Sequence, residues 1–303
     1  MSKICYVAKN LRGATLEVVS HINAIIDEYS AQGFDLTVRQ VFYQLVARAL
    51  IENSQKEYKR IVSIITDARM AGLIDWDSIV DRTRYLRSNS HWKNPAHIIH
   101  SAAQSFALDK WSDQPYRIEV WIEKDALVGV LEAACKPLDV PFFSCRGNVS
   151  ASEMHEAHLR LSDHASGGQT PMILHLGDHD PNGIDMSRDI QDRLATFGAE
   201  VEFERIALNL AQVERYRPPP NFAKETDSRF KSYEALYGKE CWELDALDPV
   251  TLTTLIQDKI RSVRDADLWM AKELEEATGR EKLALAAKRW GDVEAFLAKA
   301  NGR

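Results

Sequence analysis

The chain has 303 residues, 45% of them hydrophobic, which suits two compact domains and excludes a disordered or low-complexity polypeptide. Its 45 acidic residues outnumber 38 basic ones for a net charge of −7, so no global positive field draws it to nucleic acid or membrane; any such contact needs a local patch. Cys5, Cys135, Cys145 and Cys241 lack CxxC spacing, no run reaches about 18 apolar residues, and no apolar leader follows Met1, so the expectation is a cytoplasmic protein without membrane association.

Residues 14 to 32 carry Leu16, Val19, Ile22, Ile25 and Ile26 at helical spacing and stop at Gly33. Thr37 caps a second predicted helix, 38 to 51, whose apolar face holds Val41, Phe42, Leu45 and Val46. A third spans 55 to 71, ending at Gly72. Residues 75 to 80 fit a short helix and 82 to 87 an extended basic segment, which together suggest a small winged-helix-like domain. From Arg39 to Lys93 ten basic residues face six acids, with Tyr43, Tyr58 and Tyr85 interleaved. Such a surface can track phosphates, although charge alone fits an ordinary solvated helix face equally well.

From residue 116 the pattern alternates strand and helix: strand 117 to 122 and a helix from 126, strand 140 to 145 and a helix from 152 to 161, strand 172 to 176 and a helix from 184, then strand 201 to 206. This alternation predicts a parallel sheet with right-handed crossovers. Helices over 249 to 264, 266 to 277 and 281 to 299 close the chain.

Two acidic clusters follow predicted strands. Glu123-Lys124 ends the first, and Asp178-His179-Asp180-Pro181-Asn182-Gly183 ends the third. Acids gathered at the carboxyl edge of an open sheet repel one another and lose solvation, and a cation offsets that cost. Oxygen-only ligands favour Mg²⁺ or Mn²⁺ over zinc. A bland reading treats the second cluster as a capped strand-to-helix turn. A calcium loop ending at Asp189 is disfavoured by the strand-like flank 172 to 176 and by Asp185 at an ordinarily apolar position. His155, His158 and His164 read as a surface patch, and His179 as pointing away from any ion. Lys124 either contacts phosphate or pairs with Asp125, and the acids of 242 to 247 either pack in a turn or line a second site. Arg39 and Tyr43, four apart on one helical face, can meet the same phosphate, although a Tyr there is more commonly packed.

Arg39-x-x-Phe42-Tyr43 in a winged-helix-like setting, then Glu123-Lys124, then Asp178-x-Asp180-Pro181-x-Gly183, resembles the A subunit of topoisomerase VI and its relative, the meiotic double-strand-break transesterase. The resemblance spans about residues 35 to 206 and implies an α/β protein: a winged-helix-like DNA-binding domain carrying Tyr43 (1 to 112), then a Toprim domain, parallel-sheet and Rossmann-like, with a C-terminal helical extension (113 to 303). It implies that Tyr43 attacks a phosphodiester of double-stranded DNA to form a 5′-phosphotyrosyl link and that Arg39 steadies the phosphate. Glu123, Asp178 and Asp180 would hold Mg²⁺, with Mn²⁺ as a substitute, and Glu123 would share in catalysis. It also implies a homodimer in which the Tyr and the acids of one centre come from different protomers. Residue 40 is Gln where the family often has an acid. With no GxxxxGK[ST] motif in the chain, ATP-driven strand passage would need a separate ATPase B-type subunit, and the chain reads as a compact stand-alone relative. The alternatives are a Toprim nuclease using metal-activated water and a non-catalytic DNA-binding assembly protein.

Overall fold

The computed structural model describes residues 3–80, 89–223, 225–300 and 302. They form two compact units, each discontinuous in sequence: Met1–Thr83 with Arg117–Ser262, and Arg84–Tyr116 with Val263–Arg303.

The first unit begins with three helices, α1 (Gly13–Ser30), α2 (Val38–Ala47) and α3 (Gln55–Met70). Their apolar stripes, among them Ile22, Ile25, Val41, Leu45, Ile61 and Ile65, merge into one buried core. Thr37 and Gln40 form a reciprocal capping box at the start of α2, and the Ser54 side chain caps α3. Helix α2 stops four residues before the expected end at 51. Ala49 turns to a φ of 54° and the Leu50 amide bonds the Leu45 carbonyl, which closes the helix. Ile51 still packs on the core from outside it, which is why its apolar spacing looked helical.

Residues 75 to 80 are not the short helix expected. The Asp75 carboxylate accepts the Asp77 amide at 3.0 Å, and the Ser78 hydroxyl donates to the Asp75 carbonyl at 2.8 Å. These local bonds compete with the helical ladder, and Ile79 then forms a parallel bridge with Leu36. The basic segment 82 to 87 lies outside the described residues.

The sheet comprises β1 (Tyr116–Ile122), β2 (Phe142–Ser144), β3 (Thr170–Leu176) and β4 (Glu202–Ala207), a four-stranded parallel sheet in the order β2-β1-β3-β4. The crossovers contain α5 (Val128–Cys135), α6 (Ala151–Ser166) and α7 (Pro181–Phe197). Strands β1 and β3 are buried over most of their lengths, as befits central positions. Strand order reverses between β1 and β3, so the crevice at their carboxyl ends is the topological switch point of the sheet. Glu123 follows β1 directly, and Asp178 lies two residues beyond β3.

After β4 come α8 (Leu210–Tyr216), a short antiparallel pair β5 (Asn221–Phe222) and β6 (Glu240–Cys241) with α9 (Phe230–Tyr237) between them, and α10 (Pro249–Val263). In the second unit α4 (Pro95–Ser105) packs against α11 (Ala266–Lys288), and α12 (Trp290–Ala300) follows. Helix α11 runs through the break expected between 277 and 281. Gly279 sits inside it, where the Phe106 ring presses on the position a Cβ would take. Trp111 and Trp269 meet edge to face at 5.9 Å, and Lys110 pairs with buried Glu276 at 2.9 Å. Among the described residues no helix is long and apolar enough to cross a membrane.

Candidate active site

Glu123 extends the β1 ladder by donating its amide to the Leu176 carbonyl at 2.9 Å, and its carboxylate then accepts the Asp178 amide at 2.9 Å. A side chain at Gly177 would stand 3.0 Å from that carboxylate and 3.1 Å from the Arg205 guanidinium, so glycine lets the β3 loop close over Glu123. One carboxylate oxygen of Asp178 accepts the Leu244 amide at 2.7 Å, and the other lies 2.9 Å from the Lys124 ammonium. Asp180 caps α7 through the Gly183 amide at 2.6 Å, as the capped-turn reading anticipated. Burial foremost pushes both Glu123 and Asp178 above the usual carboxylate range, Asp178 strongly; neighbouring acids add to it, and Lys124 pulls the other way.

Lys124 does not pair with Asp125, one of the two readings the sequence left open. Asp125 goes to Arg146 at 3.0 Å, whereas the Lys124 ammonium bridges Asp178, Glu243 at 2.8 Å and Asp245 at 2.5 Å. Burial opposes its charge, but these three carboxylates outweigh burial and hold it protonated. The acids of 242 to 247 therefore belong to this same site. Glu243 also accepts the Tyr43 hydroxyl at 2.5 Å, and Arg39 lies 3.7 Å from Glu243 and 3.3 Å from Asp245. The Arg39 guanidinium sits 5.9 Å from the Tyr43 ring centre, as their spacing on α2 implied. Burial, and then the Glu243 carboxylate, push the Tyr43 phenol well above its usual range, while Arg39 pulls it down. Tyr43 is thus joined to Asp178 within one chain, through Glu243 and Lys124, where the resemblance implied that the Tyr and the acids of one centre come from different protomers.

Arg205 carries no sequence signal beyond being a charged residue inside a strand pattern. Its buried guanidinium donates to the carbonyls of Gly177, Asp178 and Gly183 and to the Ser187 hydroxyl, at 2.6 to 2.9 Å. It ties the loop carrying Asp178 and Asp180 to β4. His175, fully buried beside it, is pushed down to about 3 by burial and by that guanidinium, so it is neutral. The His179 ring turns to the Tyr233 hydroxyl at 2.8 Å, among Tyr237 and Trp242, and its backbone bridges Trp242. His155 and His158 pack around Phe197.

Among the described residues no three His, Cys, Asp or Glu side chains form a ready metal cage. The donor chemistry nevertheless fits a hard cation, because Glu123, Asp178 and Asp180 offer oxygen only and burial makes the charges of the first two costly. No protein-family model matches the chain, and no curated protein matches it.

Proposed function

We propose that the chain is a DNA-cleaving transesterase, resembling the topoisomerase VI A subunit, whose nucleophile is Tyr43. Support comes from one observation above the rest. The Tyr43 hydroxyl is bonded to Glu243, and Glu243 shares Lys124 with Asp178, so the nucleophile and the acids at the switch point belong to one charge network. A buried phenol finds a partner in any case, as Tyr29 does on Asp248 at 2.6 Å, so what sets Tyr43 apart is the further link through Lys124 to Asp178.

In this mechanism the Tyr43 oxygen bonds to a phosphorus of duplex DNA, and the bond from phosphorus to the 3′ oxygen breaks, leaving a 5′-phosphotyrosyl link. Arg39, already beside the phenol, binds a nonbridging oxygen as charge builds there. Glu123, Asp178 and Asp180 would hold Mg²⁺ or Mn²⁺, which supplies positive charge to the phosphate and the departing oxygen when bound. Under this reading α1, α2 and α3 belong to a winged-helix-like DNA-binding domain, and the sheet is that of a Toprim domain. Breaking both strands takes two such centres, hence a homodimer, although each centre then lies within one protomer and is not shared between two as the resemblance implied. Strand passage would fall to a separate ATPase subunit.

Labelled duplex incubated with the protein and Mg²⁺, then run on a denaturing gel, tests the proposal. Label attached to protein, lost in Tyr43→Phe, is the expected result. One observation favours a second reading: Tyr43 is only 6% exposed. A nuclease using activated water, with Tyr43 as a packing residue, would give nicks without attachment, equally in Tyr43→Phe. DNA binding without cleavage under any condition would point instead to a non-catalytic assembly protein.

A further inference from the structure

We propose that Glu243 is the general base of the transesterification, taking the phenolic proton of Tyr43 as its oxygen bonds to phosphorus; this rests on Tyr43 being the nucleophile. A general base has to lie within hydrogen-bond reach of the proton it removes, and the Glu243 carboxylate accepts that proton's hydrogen bond at 2.5 Å.

The surroundings keep Glu243 charged and within reach of the phenol, although they also weaken it as a base. Two cations face Glu243, Lys124 at 2.8 Å and Arg39 at 3.7 Å, and its second oxygen lies 3.4 Å from the Asn221 amide. Asp245 and Asp178 stand behind Lys124. Burial works against the Glu243 charge, but Lys124, Tyr43 and Arg39 together outweigh it and hold the carboxylate below its usual range, ionised at neutral pH. The other carboxylates of the cluster are enclosed: the Asp245 side chain is 0% exposed and that of Asp178 9%, against 28% for Glu243. Glu243 alone of these three lines a cleft of about 500 Å³, which also reaches Asp180, Asn182 and Arg229. It touches the phenol on one side and borders that cleft on the other; Tyr43 itself does not line the cleft.

The bonds balance as follows. The O–H bond of Tyr43 breaks and its proton stays on Glu243, while the phenolic oxygen forms the new bond to phosphorus. The phosphorus–oxygen bond to the deoxyribose breaks, its electron pair leaves with the sugar oxygen, and that oxygen takes a proton from water. That proton neutralises Glu243 while the sugar oxygen carries the negative charge away, and Lys124 and Arg39 then rest on Asp178 and Asp245. On resealing, the departing phenolate recovers its proton from Glu243.

Attachment rates to labelled duplex with Mg²⁺ test this in wild type, Tyr43→Phe and Glu243→Gln. The amide of Glu243→Gln can still accept the hydrogen bond but cannot hold the proton, so attachment should slow on the order of 10²- to 10⁴-fold. The residual rate should rise with pH, whereas wild type is flat through neutrality. Replacing Tyr43 by a more acidic trifluorotyrosine should rescue Glu243→Gln far more than it accelerates wild type, a response a structural role for Glu243 would not give. Equal attachment by wild type and Glu243→Gln, or an equal effect of trifluorotyrosine in both, overturns the assignment of Glu243 alone. No attachment in wild type, or attachment that persists in Tyr43→Phe, overturns Tyr43 as nucleophile and this inference with it. Should Glu243→Gln not fold, Glu243→Asp, which keeps the charge but draws the carboxylate back from the phenol, decides: slower attachment that trifluorotyrosine rescues supports the assignment, and an unchanged rate overturns it.

Discussion

Arg205 and Asp178 meet through the main chain, the guanidinium donating to the Asp178 carbonyl oxygen at 2.6 Å. The same side chain holds the carbonyls on either side of the acid loop, at Gly177 and Gly183, so one residue of β4 sets the path of the chain between β3 and α7. Burial lowers the proton affinity of Arg205, and Glu123, Asp178 and Asp180 work against that loss. The loop geometry and the electrostatics of the acids therefore depend on the same cation.

Arg205→Met should destabilise the protein by about 3–5 kcal/mol, because it leaves buried carbonyls without donors and buried acids without their counter-charge. Urea unfolding followed by circular dichroism measures this. A loss under about 1 kcal/mol would mean that water replaces the guanidinium and that the loop does not depend on it.

Gly183 is needed for close approach and not for an unusual φ. A Cβ there would overlap the Asp178 carbonyl oxygen and come within 3.0 Å of its amide nitrogen. Backbone cannot rotate aside as a side chain can, so Gly183→Ala should cost about 1–3 kcal/mol, although Ala favours helices over Gly. A variant as stable as wild type in thermal unfolding would show that the turn relaxes freely.

Glu123 and Asp178 give the stability a pH dependence of defined sign. Both are raised in the folded chain, which therefore holds more protons than the unfolded chain above the ordinary carboxylate range. Their contribution is best at low pH and falls as pH rises from about 4 through their folded values. A cation bound between them opposes that fall. Millimolar Mg²⁺ should raise the melting temperature at pH 8 and have little effect at pH 5, and Asp178→Asn should abolish the response. A wild-type melting temperature insensitive to Mg²⁺ at pH 8 would remove these residues as a metal site.

Gly279→Ala offers a test in the second unit. In an exposed helix interior this change stabilises by about 1 kcal/mol. Here the new methyl would meet the Phe106 ring, so the gain should vanish or reverse. Combined with Phe106→Ala the gain should reappear, a coupling read from the double-mutant cycle. Additive effects would show that the ring turns aside without cost.

Periodicity alone determined most of the helices and the four parallel strands, since side-chain spacing repeats within a few residues and records which face is buried. It also put Glu123 and Asp178 at strand ends and Arg39 beside Tyr43, because both follow from short-range geometry. Local spacing misled where a local bond or a distant neighbour won, at the Asp75 turn and at Gly279. Only the tertiary structure decided which charges meet. Lys124 reaches Glu243 and Asp245 across 119 and 121 residues, Tyr43 reaches Glu243 across 200, and Arg205 underlies a loop from the neighbouring strand. Strand order and crossovers bring these partners together, and no repeat within a helix or strand encodes a pair so far apart.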